Sequence, residues 1–68
     1  MKATLINRHD YPELDLIMWD RAETHIEPAV AFRLYEQRWR FVDKERLGDK
    51  EHRLIKALEK TYGRMLVA

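Results

Sequence analysis

PAVAFRLYEQRWRFV, residues 28–42, is the clearest helical pattern in this chain of 68 residues. Pro28 suits the first turn of a helix, because its missing N–H would have no partner there in any case. At about 100° per residue, the apolar side chains spread over an arc of roughly 200°. One neighbouring element cannot cover so wide an arc. We therefore predict a central helix from Pro28 to about Val42 that is packed on both sides.

A second amphipathic pattern follows a short charged connection, residues 43–48. Asp49 is a good N-cap and Gly63 a good C-terminal stop, which predicts a surface helix from Asp49 to about Tyr62. Glu51 lies in its first turn, where the helix dipole favours an acidic group. The narrow apolar stripe of this helix consists of Leu54, Ile55, Leu58 and Tyr62. Because the connection is short, we expect the two helices to form an antiparallel hairpin.

The pattern of residues 11–20 fits two structures. Asp10, with Glu13 three residues later, resembles the capped start of a helix. One face of that helix would carry Tyr11, Leu14, Ile17 and Met18. However, Leu16 and Trp19 fall off this face, and a strand-like alternation is formed by Leu14, Leu16 and Met18. We favour a short helix over about residues 11–20 and keep a strand as the alternative.

Short apolar stretches near both ends, residues 4–6 and 65–67, would either dock on the helices or pair as a ribbon. A two-stranded ribbon is only marginally stable without support from a helix. The predicted fold is mainly α: a small three-helix bundle with either a short two-stranded ribbon or docked, extended termini. The predicted core consists of Leu14, Ile17, Met18, Val30, Leu34, Phe41, Leu54, Ile55 and Leu58.

Composition limits the class of protein. A chain this short has room for one domain, residues 1–68, and buries only about 60% of its surface on folding. It has no cysteine, so neither disulfides nor a thiolate zinc site can support the fold. With 46% hydrophobic and 37% charged residues, it is too apolar for a disordered chain and too charged for a membrane protein. We expect a soluble, cytoplasmic domain with no membrane partner.

Charge is distributed unevenly, although the formal net charge is only +1. Residues 1–27 carry three basic and six acidic groups, a net of −3, whereas residues 44–68 carry seven basic and four acidic groups, a net of +3. The two ends could pack together and neutralise each other. Alternatively, a basic face would meet an acidic partner, or two copies would associate head to tail.

The sequence offers little material for catalysis. It contains no cysteine and no serine, and two glycines cannot form a phosphate-binding loop. His9, His25 and His52 do not have the spacing of a zinc site or a facial triad. We therefore predict that the protein is not an enzyme and that it has no cofactor and no metal site.

Arg38 falls in the middle of the apolar arc of the central helix. A guanidinium there must extend to solvent or find a carboxylate, and the acidic candidates in the first segment are Asp15 and Asp20. The alternative is that this face is not fully covered in the monomer. Tyr, Trp and Arg are enriched at binding hot spots. The predicted partner-binding surface then consists of Phe32, Tyr35, Arg38 and Trp39.

A basic stripe with helical spacing occupies the polar face of the last helix: Arg53, Lys56, Lys60 and Arg64. Four cations on one face can contact phosphates, although a solvated polar face has the same pattern. The connection over residues 43–48 is long for a helix-turn-helix, and no aromatic residue interrupts the stripe to stack on bases.

Three stretches, Trp19-Asp20, residues 26–32 and residues 35–43, together resemble short uncharacterised bacterial proteins of unknown function. The resemblance spans residues 10–63 and implies no activity. From the residues, the first hypothesis is a small non-enzymatic protein-interaction or regulatory module that binds a protein partner or a second copy of itself. The alternative is a nucleic-acid-binding accessory protein that uses the basic stripe.

Overall fold

Three α-helices and one two-stranded ribbon form the part of the chain that the computed structural model describes, residues 4–64 and 66. The helices are α1 (Pro12–Ile17), α2 (Pro28–Arg38) and α3 (Asp49–Tyr62). The strands are β1 (Ile6–Asn7) and β2 (His25–Ile26). The predicted mainly α, three-helix fold is confirmed. The helix favoured for about residues 11–20 is present but shorter, over Pro12–Ile17, and a turn follows at residues 18–20.

The ribbon does not join the two ends of the chain. β1 pairs antiparallel with β2, with Ile6 opposite Ile26. Of the two alternatives for the chain ends, a ribbon between residues 4–6 and 65–67 falls partly on residues that the structure does not describe. Because α1 is so short, the chain returns beside β1 before α2 begins. Leu66 is buried, and its N–H donates to Glu59 Oε2 at 2.8 Å. Met65 and Val67 lie outside the described residues.

The central helix is shorter than its sequence pattern. Regular α-helix stops at Arg38, and a 3-10 turn over Trp39–Phe41 follows. A 3-10 turn advances about 120° per residue, so a wheel drawn at about 100° misplaces the side chains beyond Arg38. As a result Phe41 is 64% exposed and is not a core residue as predicted, whereas Val42 is buried.

The core lies between the three helices and the ribbon. Six of the predicted core residues are buried: Leu14, Ile17, Met18, Leu34, Ile55 and Leu58. Val30 and Leu54 are partly buried against them. The prediction missed seven buried residues: Ile6, Ile26, Ala31, Phe32, Tyr35, Val42 and Leu66. Contacts of Phe32 with Tyr62 and of Tyr35 with Glu51 join α2 to both ends of α3, and the antiparallel hairpin stays a prediction.

The N-terminus of α1 is capped by a side chain from α3. Tyr11 is the N-cap residue and gives no side-chain cap, so the predicted cap by Asp10 is wrong. Instead Glu51, which is 1% exposed, accepts hydrogen bonds from the backbone N–H groups of Glu13 (3.1 Å) and Leu14 (2.8 Å). A carboxylate is favoured there by the free N–H groups and by the helix dipole.

The same carboxylate binds α2. Tyr35 is fully buried, and its hydroxyl donates to Glu51 Oε2 at 2.6 Å. Burial raises the pKa of the Tyr35 phenol, and the bond to Glu51 raises it further, so the hydroxyl stays a donor. Glu13 in turn accepts a hydrogen bond from Asp43 N–H at 2.9 Å, which fixes the connection between α2 and α3.

Two arginines from other parts of the chain cap the C-terminus of α1. Arg8 Nη2 donates to the carbonyls of Asp15 (3.1 Å) and Met18 (3.0 Å), and its Nε contacts the Asp15 carboxylate at 2.5 Å. Arg38 Nη1 donates to the carbonyl of Ile17 at 2.6 Å. An isolated helix of fewer than about 12 residues is marginal in water. Charged groups at both ends therefore hold α1 in place.

Substitution of Gly63 tests how α3 ends. Its φ is 68°, in the left-handed region, and its N–H donates to the Glu59 carbonyl at 2.8 Å. We expect Gly63→Ala to lower the free energy of unfolding by about 1 kcal/mol, because a Cβ strains this conformation. The matched control is Gly48→Ser, where φ is −75°, a Cβ would meet nothing within 4 Å, and serine suits the N-cap position of α3. Urea unfolding followed by circular dichroism compares the two, and equal losses would contradict this account.

Candidate functional site

Three large apolar side chains stand exposed on one side of the molecule. Leu16 is 60%, Trp19 76% and Phe41 64% exposed. Together with Ile17 and Arg38 they line a groove of about 440 Å³. We call these five residues the Trp19 surface. Scattered apolar residues are normal on a protein surface, but a contiguous apolar patch marks an interaction site more often.

The local fold explains why these side chains point outward. α1 turns Leu14, Ile17 and Met18 into the core, so Leu16 lies on its opposite side. Trp19 follows in the turn that ends this helix. Phe41 is brought beside them by the 3-10 turn after α2. The Trp19 surface is therefore assembled from the junction between the ends of α1 and α2.

Arg38 fixes this junction. Its Nη1 and Nη2 donate to the two carboxylate oxygens of Asp20 at 2.7 Å and 2.9 Å. Its guanidinium carbon also lies 5.5 Å from the centre of the Trp19 ring. The predicted ion pair of Arg38 is confirmed with Asp20, whereas Asp15 pairs with Arg8. Arg38 thus organises the groove as well as capping α1.

The ion pair also shifts the pKa values of Asp20 and Arg38. The hydrogen bonds from Arg38 lower the pKa of Asp20 from 3.8 to about 2, with further help from the guanidinium charge. The same hydrogen bonds raise the pKa of Arg38. Both groups therefore stay charged at neutral pH, and their charges cancel within the groove.

The other three residues of the predicted partner-binding surface do not line the groove. Phe32 is buried and stacks on Tyr62 with ring centres 5.1 Å apart, and Tyr35 is buried against Glu51. Trp39 is half-buried against the edge of Tyr35. These side chains are covered because α1 and α3 pack on both sides of α2. The predicted contact surface is thus corrected: of its four residues, only Arg38 belongs to the Trp19 surface.

The structure does bring the predicted basic stripe together on the exposed face of α3. All four residues are exposed: Arg53, Lys56, Lys60 and Arg64. Arg64 pairs with Glu36 at 2.9 Å. The other three cations form no ion pair within residues 4–64 and 66. Glu59 lines the same depression as Lys56 and Lys60 and reduces its positive charge. Binding of nucleic acid by this face stays a prediction.

Among the residues that the structure describes, no group of three or more histidines and carboxylates could hold a metal ion. His9 has one acidic neighbour, with Nδ1 3.8 Å from Asp15 Oδ1. No helix of the described ranges is long and apolar enough to cross a membrane.

Comparison of the chain with protein-family models, with curated proteins and with solved structures found no match. We therefore interpret the Trp19 surface from its geometry.

Two residues of the Trp19 surface could be recognised from the sequence. Leu16 and Trp19 are large apolar residues that fall off the face of the predicted first helix, and such residues are candidates for contact with a partner. Phe41 had no such signal, because the change to 3-10 geometry after Arg38 places it outside. Glu51 and Arg8 had no signal either, since nothing local shows that a charged side chain caps a distant helix.

Titration of Asp20 tests the ion pair of the groove. A carboxyl whose folded pKa is depressed stabilises the fold above its unfolded pKa, here 3.8, and this contribution disappears as pH falls towards about 2. We expect carbon-detected NMR to give an Asp20 midpoint of about 2 in the wild type. Removal of the guanidinium by Arg38→Met should raise the midpoint towards 3.8, because the hydrogen bonds from Arg38 are the largest cause of the shift.

Arg33→Met removes an exposed arginine from the same helix and should leave the Asp20 midpoint unchanged. In addition, the destabilisation by Asp20→Asn should be constant at neutral pH and shrink below about pH 4. A wild-type midpoint that Arg38→Met leaves in place would contradict the assigned role of Arg38.

Proposed function

We propose that this protein is a small, non-enzymatic protein-interaction module that binds its partner on the Trp19 surface. The observation that carries the proposal is the exposure of Leu16, Trp19 and Phe41 around one groove. Trp and Arg dominate binding hot spots, and Trp19 and Arg38 lie together at the centre of this surface.

The size of the surface indicates a reversible complex. Aromatic side chains bury about 150–250 Å² each, so complete coverage of Leu16, Trp19 and Phe41 would remove roughly 400 Å² of apolar area from water. At about 25 cal/mol per Å², this contributes about 10 kcal/mol. Association itself costs about 4–15 kcal/mol in lost translational and rotational freedom. The three side chains therefore support binding only together with polar contacts at the rim.

Preorganisation lowers the cost of binding at this surface. Trp19 lies beside a guanidinium that is itself held by Asp20 and by the Ile17 carbonyl. Fewer side chains must therefore be ordered when a partner docks. Arg38 and Asp20, the charged pair of the groove, are bonded to each other, and this arrangement favours contact over catalysis.

The basic face of α3 supports the alternative of nucleic-acid binding, because Arg53, Lys56 and Lys60 are exposed and form no ion pair within the described residues. Three cations on a single short helix make few phosphate contacts, and affinity for nucleic acid scales with their number. We therefore propose the Trp19 surface as the principal binding site.

Site-specific photo-crosslinking in the organism that encodes the protein tests the proposal. A photo-reactive amino acid at position 16 or 41 should give a product of defined mass, because both positions lie on the Trp19 surface. Trp19→Ser should abolish that product by removing the largest contact.

The matched positions are 33 and 45, which are exposed but do not line the groove. They should give no such product. Equal products from all four positions, or none from positions 16 and 41, would overturn the proposed function.

A further inference from the structure

We infer that the partner on the Trp19 surface is a second copy of this chain, related to the first by a twofold axis. This inference rests on the proposed function and names its partner.

The Trp19 surface combines an exposed aromatic side chain with an apolar groove. A twofold interface places the same patch on both subunits, so each patch must offer both a projection and a recess. Trp19 is 76% exposed and projects from the turn after α1. It also lines one side of the groove of about 440 Å³, together with Leu16 and Phe41. In a twofold arrangement, the indole of each copy enters the groove of the other.

Charge at the surface permits this arrangement. A twofold axis brings each charged group close to its own copy, and like charges there repel. Arg38 and Asp20 cancel each other at 2.7 Å, so the groove presents no net charge to the second copy. Arg40 lies 5.0 Å from the centre of the Phe41 ring and is exposed, so water screens its charge.

The area also suits a small dimer. A stable interface buries about 800 Å² on each partner, of which the centre is apolar and the rim polar. The roughly 400 Å² of apolar surface from Leu16, Trp19 and Phe41 fills about half of this requirement, and neighbouring polar side chains supply the rest. Dimer formation would also stabilise a chain whose single core is close to the minimum size.

Sedimentation equilibrium from low micromolar to near-millimolar concentration tests the inference on the purified full chain. We expect a reversible monomer–dimer equilibrium. Trp19→Ser and Phe41→Ser should each weaken it about tenfold or more, since each removes a large apolar contact. The control is Leu5→Ser, because Leu5 is also an exposed apolar residue, at 51%, but lies outside the groove. Circular dichroism verifies that each variant is folded.

A wild type that stays monomeric at every concentration would overturn the inference, as would a dimer that neither Trp19→Ser nor Phe41→Ser weakens. These outcomes are distinguishable from failure of the proposed function. A monomeric protein that still crosslinks from position 16 to a different protein keeps the proposed function and excludes the second copy as partner. A monomeric protein without any crosslink overturns both.

Discussion

The Glu51 carboxylate joins all three helices at one buried point. It extends from α3, accepts the first free N–H groups of α1 and accepts the Tyr35 hydroxyl of α2. Burial of a carboxylate costs several kcal/mol, and each hydrogen bond to a charged group returns about 1.5–3 kcal/mol. Three such bonds together offset the cost of burying the Glu51 carboxylate. Loss of one of them would therefore destabilise the fold. The relative positions of the helices depend on this set of bonds more than on any single apolar contact.

α1 connects this buried point to the surface. Glu51 holds its N-terminus, and Arg8 and Arg38 hold its C-terminal carbonyls. The charges match the helix dipole at both ends, which allows six residues to stay helical. Because the helix stops at Ile17, Trp19 falls in an exposed turn next to Arg38. The capping that stabilises the fold therefore also creates the Trp19 surface.

Local patterns were sufficient to predict the helices but not the interactions that link them. Pro28 and Gly63 mark helix ends through their own backbone preferences. Asp49 also marks the start of α3, but it is the first helical residue, and the N-cap position predicted for it is occupied by Gly48. The end of α2 was misplaced because the change to 3-10 geometry has no local signal. Arg38 was informative since a charge inside an apolar arc demands a partner. Glu51 was not, because its place in a first turn fits an ordinary surface carboxylate equally well.

Native-state hydrogen exchange at the N–H groups of Glu13 and Leu14 tests most directly whether Glu51 holds α1. In the wild type these amides should exchange only through unfolding of most of the protein, because both donate to a buried carboxylate. Glu51→Gln replaces one accepting oxygen by an amide group that cannot accept. Protection of these two amides should then fall by about tenfold or more and the free energy of unfolding by about 1–3 kcal/mol, while Glu45→Gln at an exposed site changes neither. Unchanged protection in Glu51→Gln would contradict the account.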